Sequence, residues 1–557
     1  MLRRERVTPA AAAGATGSWR GLGLWNLYFA GKLLLYWTGA LNFHAFYNLL
    51  LASVLLAPLP PLWLHRLRHI VAIPFGVALL YYDSWLPPFS RLLAQPEVLN
   101  FSPAYLLELM GRFINWDMVG GGFILLVAYL FLNQWLRLTV FSMGALVLVA
   151  LSGIVTLPAL PWDRPQVPQA AQAQAQPAPG ADAGRIPAGS AAAPAGKPTN
   201  EQLNLALQAF YDEEKPRRTE FPASNTAAPF DVLLINICSL SWDDLKQSGL
   251  ESHPLFTNMD LIFDDFNTAT AYSGPAVLRL MRASCGQPAH SALYQPAPEQ
   301  CYLMENLWRL GFETKTALNH NGEFQGFLDE ITAGGRFPKP YIPTEMRPSM
   351  TGFDGSPIWD DLDTLGRWWK AREASGAERT ALLYNTISLH DGNREATADG
   401  GGRSSPFHNR AQRLLDELDT FIGQLEKTGR PVVLVFVPEH GAALKGDRMQ
   451  IAGMREIPTP DITHVPVGVR VIGAKGRGEA REPRRIQGPT SYMAVSELLA
   501  RMIAQDVYAQ EKIDWGALTA DLPQTKPVSE NEGTVLMPYG NVPYVRLGNR
   551  NWIEYPR

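Results

Sequence analysis

Four side chains in this sequence have the chemistry of a metal centre with a nucleophile beside it: Cys238, Ser273, Glu439 and His440. Cys238 closes the apolar run FDVLLINIC, and Glu439–His440 follows a second such run, PVVLVFVP, with Gly441 next. A tight turn off a strand can aim two neighbouring side chains at one ion. Ser273 lies in TATAYSGPAVLRLM, where Pro275 and the apolar residues after it announce a helix. A serine at that start has backbone N–H groups and the positive end of the helix dipole beside it, which suits a phosphate group. Its hydroxyl becomes a useful nucleophile only when a base or a metal lowers its pKa. Thiolate, carboxylate, imidazole and hydroxyl make a four-coordinate set, and the soft sulfur with the imidazole favours zinc over magnesium or manganese. Each residue also has a plainer reading. Free cysteine is among the most buried residue types, and Ser273 fits an N-cap. The combination favours the metal site.

Such a set needs a scaffold that brings strand ends together. After residue 200, helical patterns such as EQLNLALQAFY and HNRAQRLLDELDTFIGQLEK alternate with the β-rich runs FDVLLINIC, ETKTALN, RTALLYNTISL, PVVLVFV and VPVGVRVIG. Several runs are apolar on both faces, which predicts an α/β sandwich around a mostly parallel central sheet. Ligands of such sheets gather at the carboxyl ends of the strands. Cys238, the His390 of SLHDG and Glu439–His440 all stand at such ends. Residues 201–525 are therefore expected to form the catalytic domain. Past residue 525, short strands and a turn at Gly548–Asn549 predict a small hairpin extension over 526–557 that adds little chemistry.

The first 162 residues read as a five-span membrane anchor. Apolar stretches near 22–41, 43–60, 69–86, 119–135 and 138–160 approach the length that a bilayer core of ~30 Å requires. Arg3, Arg4, Arg6 and Arg20 precede the first stretch, Arg66 and Arg68 separate the second from the third, and Arg137 separates the last two. With these on the cytoplasmic side, an odd number of spans delivers the C-terminal part outside. Lys32, inside the first stretch, reads as a helix-face or snorkelling residue. Pro87 to Asp117 is expected along the outer membrane surface. Residues 163–200 are rich in Ala, Pro and Gln and predict a flexible linker. The net charge of -4 divides into +5 over residues 1–160, from ten Lys/Arg and five Asp/Glu, and -9 over the rest. No strongly basic domain exists, which argues against nucleic acid as a partner.

The chain has three cysteines. An oxidising compartment would let Cys285 and Cys301 pair, which in the chain-entropy model stabilises by ~3 kcal/mol and leaves Cys238 for metal. Pairing of Cys238 with either of them is the alternative, and it would end the zinc reading.

The order of strand-end ligand, TATAYSGP, SLHDG and VPEHG resembles the alkaline-phosphatase superfamily, and within it the membrane-anchored phosphoethanolamine transferases, most closely the type that modifies bacterial cellulose. The resemblance covers nearly the whole chain. It implies Ser273 as nucleophile, with Cys238, Ser273, Glu439 and His440 around zinc. It places His390 and Arg455, from MREIPTP, at the transferred phosphate, and Tyr272 in the pocket. His464, in THVPVGV, matches a late histidine used near the metal, and a strand-start histidine is an equal reading. The implied protein is a multi-pass enzyme of the bacterial inner membrane with a cytoplasmic N-terminus and a periplasmic catalytic domain. Its implied donor is phosphatidylethanolamine, its acceptor the C6 hydroxyl of nascent cellulose, its intermediate a phosphoethanolamine-serine, and its neighbours are cellulose synthase subunits. Lipid A transferases look similar but carry an acidic residue at the position of Cys238, a threonine at Ser273 and Asp–His at Glu439–His440, which points away from lipid A. The arginine of the sulfatase Cys/Ser-x-Pro-x-Arg pattern is missing, since Val277 stands there. The rival readings are phosphoglycerol transfer or phosphodiester hydrolysis on another periplasmic glycan, and a non-catalytic membrane subunit of a polysaccharide synthase.

Overall fold

The computed structural model describes residues 21–38, 41–58, 62–84, 105, 107–108, 111, 116–152, 197–334, 337–397, 402–478, 482–548 and 550–556. Arg3, Arg4, Arg6, Arg20, most of the 87–117 stretch, the linker up to residue 196 and Asn549 lie outside the described residues. The chain divides into two compact units, Met1–Leu86 with Ile114–Ala192, and Pro87–Phe113 with Ala193–Arg557.

In the first unit, helices Trp25–Trp37, Ala45–Leu56, Leu62–Asp83, Trp116–Leu132 and Leu138–Ser152 fall on the five apolar stretches. Large apolar side chains such as Trp37, Phe46, Trp63, Phe75, Phe123 and Leu148 remain exposed on them. Among the described residues, no helix is long and apolar enough to cross a membrane. Two expectations change here. The third helix begins at Leu62, so Arg66 and Arg68 sit inside its first turns and not between helices. Lys32 does not snorkel: it is buried, with Nζ 2.5 Å from Asp83 Oδ2 and 2.8 Å from Asn48 Oδ1. A buried ammonium is tolerated when an opposite charge and hydrogen bonds replace its water.

The second unit is built on a seven-stranded sheet. Its strands are β1 (Asp231–Ile237), β2 (Leu261–Phe266), β3 (Glu313–Leu318), β4 (Thr380–Thr386), β5 (Val432–Pro438), β6 (Val467–Ile472) and β7 (Arg484–Thr490). The spatial order is β7-β2-β6-β5-β1-β4-β3. β6 runs antiparallel to both neighbours, and the other pairings are parallel. The sheet is therefore mixed, with one reversed strand. Side chains alternate between its faces, as strand geometry demands. Val232, Leu234, Val433 and Val435 pack with Val277, Leu307 and Leu498 from helices on one side. Leu233, Ile235, Leu434 and Phe436 pack with Leu245, Leu365 and Leu418 from helices on the other. Burial on both faces explains the near-continuous apolar runs.

This topology positions the candidate site. β5, β1 and β4 are adjacent, and their last paired residues, Pro438, Ile237 and Thr386, lie in register. The segments leaving them must share one rim. The reversed strand β6 begins at that same rim.

At the C-terminus, β8 (Ser529–Asn531), β9 (Thr534–Tyr539), β10 (Val542–Leu547) and β11 (Ile553–Glu554) form an antiparallel sheet. Val535 and Met537 pack on Leu203, Leu207 and Phe210 of helix Asn200–Glu214. Gly540, at φ +61°, turns the chain between β9 and β10, where a side chain would be strained. Cys285 and Cys301 are joined with Cα atoms 4.9 Å apart, and Cys238 is free.

Candidate active site and metal centre

Cys238 stands one residue beyond β1, and its N–H still donates to the Thr386 carbonyl at 3.0 Å. Across the same rim, the Glu439 N–H donates to Ile237 O at 2.8 Å, and the Leu240 N–H donates to His440 O at 2.7 Å. The chain turns sharply after Cys238, with Ser239 in the left-handed region at φ +69°. Strain of this kind persists only where the surroundings over-determine it. Sulfur, carboxylate oxygen and ring nitrogen of Cys238, Glu439 and His440 lie within 4.8 Å of one another, and all three residues are fully buried. His440 Nε2 is 3.9 Å from Cys238 Sγ and 3.9 Å from Glu439 Oε2. Ser273 Oγ is 3.4 Å from Cys238 Sγ and 3.4 Å from His440 Nε2.

The donors fit a small four-coordinate cation. Among the described residues, buried Glu439 Oε2 has no hydrogen-bond partner, an expensive condition that a cation would relieve. His440 Nδ1 lies 2.9 Å from the Gly441 carbonyl, so the proton belongs on Nδ1 and the Nε2 lone pair faces the cluster. Burial and the Arg455 guanidinium hold this imidazole well below its ordinary pKa, in the neutral form a metal requires. Burial pushes the Cys238 thiol up to about 11 and the Glu439 carboxyl up to about 7. Both then hold protons that a bound cation must displace.

Ser273 is the first residue of helix Ser273–Met281, and the N-cap is Tyr272, whose side chain makes no capping bond. The N-cap alternative for Ser273 is thereby removed, and its hydroxyl is not used in capping. The Tyr272 hydroxyl donates to Glu456 Oε1 at 2.8 Å, and the Arg455 guanidinium lies 5.8 Å from the Tyr272 ring centre. Arg455 Nη1 also approaches Ser239 Oγ at 3.4 Å and His440 Nδ1 at 3.0 Å. Its charge is felt by Cys238, Glu439, His440 and His390, which places it over the site. His390 stacks on Phe353 with ring centres 4.8 Å apart, and its Nδ1 lies 2.8 Å from the Asp391 carbonyl. Burial, then Arg455, pushes this imidazole down to about 4, so Nε2 carries a free lone pair at neutral pH. His464 is not brought into the cluster. Its Nε2 lies 2.6 Å from the Asp264 carbonyl and 3.7 Å from Asp265 Oδ1.

Two family profiles match the chain: cellulose biosynthesis protein BcsG N-terminal domain over residues 25–151, and cellulose biosynthesis protein BcsG C-terminal domain over residues 187–552. The cellulose biosynthesis protein BcsG of Salmonella typhimurium strain LT2 is 46% identical, with 100% of each chain covered. That of Escherichia coli strain K12 is 45% identical, with 97% of each covered. This chain belongs to the BcsG family. Among solved structures, a protein of the alkaline phosphatase superfamily from Vibrio parahaemolyticus aligns with 63% of this chain and 87% of its own, at 12% identity and a TM-score of 0.45. A likeness that low carries no argument about chemistry.

In this member of the BcsG family, four further residues that the sequence did not single out, Asn385, His320, Asp244 and Asn531, hold the site together. Asn385, on β4, donates from Nδ2 to Glu439 Oε1 at 2.5 Å and to Asn236 Oδ1 at 2.8 Å. Its Oδ1 accepts from His320 Nε2 at 2.9 Å, while His320 Nδ1 accepts the Gly322 N–H at 3.1 Å. The chain of donors ends on Glu439 and presents its other oxygen to the cluster. The available signal was an asparagine inside each of two apolar runs, and these pair in register. Asp244 Oδ2 accepts from Ser241 N and Oγ at 2.9 Å each and from Ala442 N at 2.7 Å, bracing the turn after His440. A Cβ on Gly441 would lie 2.6 Å from Ser241 Oγ, so this turn excludes any larger residue. Asn531, at the end of β8, accepts the Ala271 N–H at 3.0 Å and donates to Arg455 O at 2.7 Å. The C-terminal sheet thus ties the loop that leads into Ser273 to Arg455, more than its expected small role.

Proposed function

We propose that this chain is a membrane-anchored, zinc-dependent transferase that moves phosphoethanolamine from phosphatidylethanolamine to the C6 hydroxyls of nascent cellulose through a phosphoethanolamine-serine intermediate. The observation that carries the reading is the uncapped Ser273 hydroxyl at a helix start, 3.4 Å from both a thiol and an imidazole of a buried donor set. The cellulose acceptor rests on the family to which the chain belongs. Cys238, Ser273, Glu439 and His440 would hold the zinc, whose thiolate and imidazole donors suit it better than hard cations. When bound, it would lower the pKa of the serine hydroxyl and offset negative charge on the phosphoryl group.

The residues supply the rest. Ser273 Oγ forms the bond to phosphorus as the bond to the diacylglycerol oxygen breaks. Neutral His390 takes the serine proton and passes it to the departing oxygen. In the second half it takes the proton of the incoming glucose hydroxyl and returns it to serine. Arg455 and the N–H groups at the helix start bind the phosphoryl oxygens. The five apolar helices would seat the chain in the inner membrane, where its lipid donor resides, beside cellulose synthase subunits. Residues 201–525 would then face the periplasm, a compartment in which the Cys285–Cys301 bond persists. The test is solid-state NMR of extracellular polysaccharide from cells carrying intact or Ser273→Ala protein. Loss of phosphoethanolamine with cellulose retained is expected; unchanged modification would refute the proposal.

A further inference from the structure

We infer that Glu330 binds the ammonium group of the donor, so that a carboxylate beside the nucleophile selects a headgroup carrying an alkylammonium. This rests on the transferase reading above and names the part of the site that recognises the transferred group.

The segment Phe327–Asp329 is a short helix that runs into a π turn, Glu330–Gly334. Two contacts press this turn against the nucleophile helix. Ile331 is fully buried in the same core as Val277 and Leu278, and a Cβ on Gly334 would stand 2.9 Å from Leu278 Cδ2. With those points fixed, the wide π turn directs Glu330 at the first turn of the helix, a geometry that recurs at functional sites. A Cβ on Gly274 would overlap Glu330 Oε2 and lie 2.9 Å from Glu330 Cδ. The carboxylate therefore occupies the space a side chain would take at the residue after Ser273. Glycine at position 274 makes that approach possible.

Glu330 is part-buried, yet no described residue gives it a hydrogen bond or an ion pair. Burial raises its pKa, and no cation among the described residues opposes the rise. A lone carboxylate next to a phosphate site repels the phosphate unless a positive group lies between them. A zwitterionic headgroup meets that condition, with phosphate at Ser273 and ammonium at Glu330. Tyr294 adds the second element: its ring is half-exposed, and burial, then the Glu330 carboxylate, raises the pKa of its hydroxyl. An aromatic face beside a carboxylate is the usual recognition chemistry for alkylammonium ions. Arg279, the cation that acts on Tyr294, is buried with its guanidinium on the Pro288 carbonyl. A phosphoglycerol headgroup, which carries no cationic group, would leave Glu330 unpaired, which separates the two transfer chemistries.

The experiment uses purified full-length protein and two soluble esters, p-nitrophenyl 2-aminoethyl phosphate and p-nitrophenyl propyl phosphate, which share the phosphodiester anion and differ in the ammonium. Glu330→Gln is expected to lower kcat/KM for the ammonium ester by ~10- to 100-fold and to leave the propyl ester within ~2-fold. Equal losses on both esters would make Glu330 a structural residue, and no loss on either would place the ammonium elsewhere; each overturns the inference. A wild-type chain that hydrolyses neither ester, or a Ser273→Ala chain that hydrolyses both at the normal rate, removes the transferase reading itself and the inference with it.

Discussion

The two sides of the site are held by different means. Cys238, Glu439 and His440 are fully buried at the ends of adjacent parallel strands, fixed by ladder bonds and by the Asn385 and Asp244 networks. Tyr272, Ser273, His390 and Arg455 are only part-buried, and a helix start and aromatic contacts position them. A metal site needs donors whose geometry is locked by their surroundings, and strand ends in register supply that. A transferred group and two successive partners need access, which loops and a helix end provide. Under the proposed function, the site separates into a prebuilt metal holder and an open transfer face.

The strongest attack on that division is Cys238→Ser. It leaves the transfer face intact but replaces the soft donor, so zinc content by metal analysis and transfer rate should fall together by ~100-fold or more. Loss of transfer with full zinc content would show that Cys238 belongs to the transfer face. Asn385→Ala acts one step further out. It should weaken zinc affinity by ~10- to 100-fold, with kcat near normal once zinc saturates the site. A kcat defect that zinc cannot restore would erase the boundary between holder and transfer face.

The holder also sets a pH dependence. Glu439 is raised above its ordinary carboxylate pKa to about 7, so in chelated protein its contribution favours the folded state at low pH and is lost as pH rises through about 7. Thermal melts of chelated protein should therefore decline across that range, and Glu439→Gln should flatten the decline. Zinc-loaded protein should show the opposite trend, because protons compete with the metal below about 7. The smallest effect belongs to His464→Ala. Its ring is bonded to the Asp264 carbonyl outside the cluster, so transfer should stay within ~2-fold of wild type. A large loss would place His464 at the reacting groups after all.

Much of this arrangement was legible in the sequence because burial on both sheet faces writes nearly unbroken apolar runs. FDVLLINIC, RTALLYNTISL and PVVLVFV each became a central strand, and the residue types at their ends marked the site. The supporting network was not legible. Asn385 and His320 act on Glu439 through pairings across the sheet, and Asn531 reaches Arg455 from a separate sheet. Glu330 depended on a π turn set by the packing of Ile331 and Gly334, which no local pattern announces. The burial of Lys32 is hidden from the local sequence for a related reason: Asp83, its partner, lies two helices away in the chain.

The central claim is that Ser273 carries the transferred group. Mass spectrometry of the Ser273 peptide, after brief incubation of purified full-length protein with phosphatidylethanolamine, tests it directly. A phosphoethanolamine adduct on Ser273 is expected, and it should be discharged when cello-oligosaccharide is added. Undiminished transfer by a Ser273→Ala chain, with the adduct absent or on another residue, would contradict it.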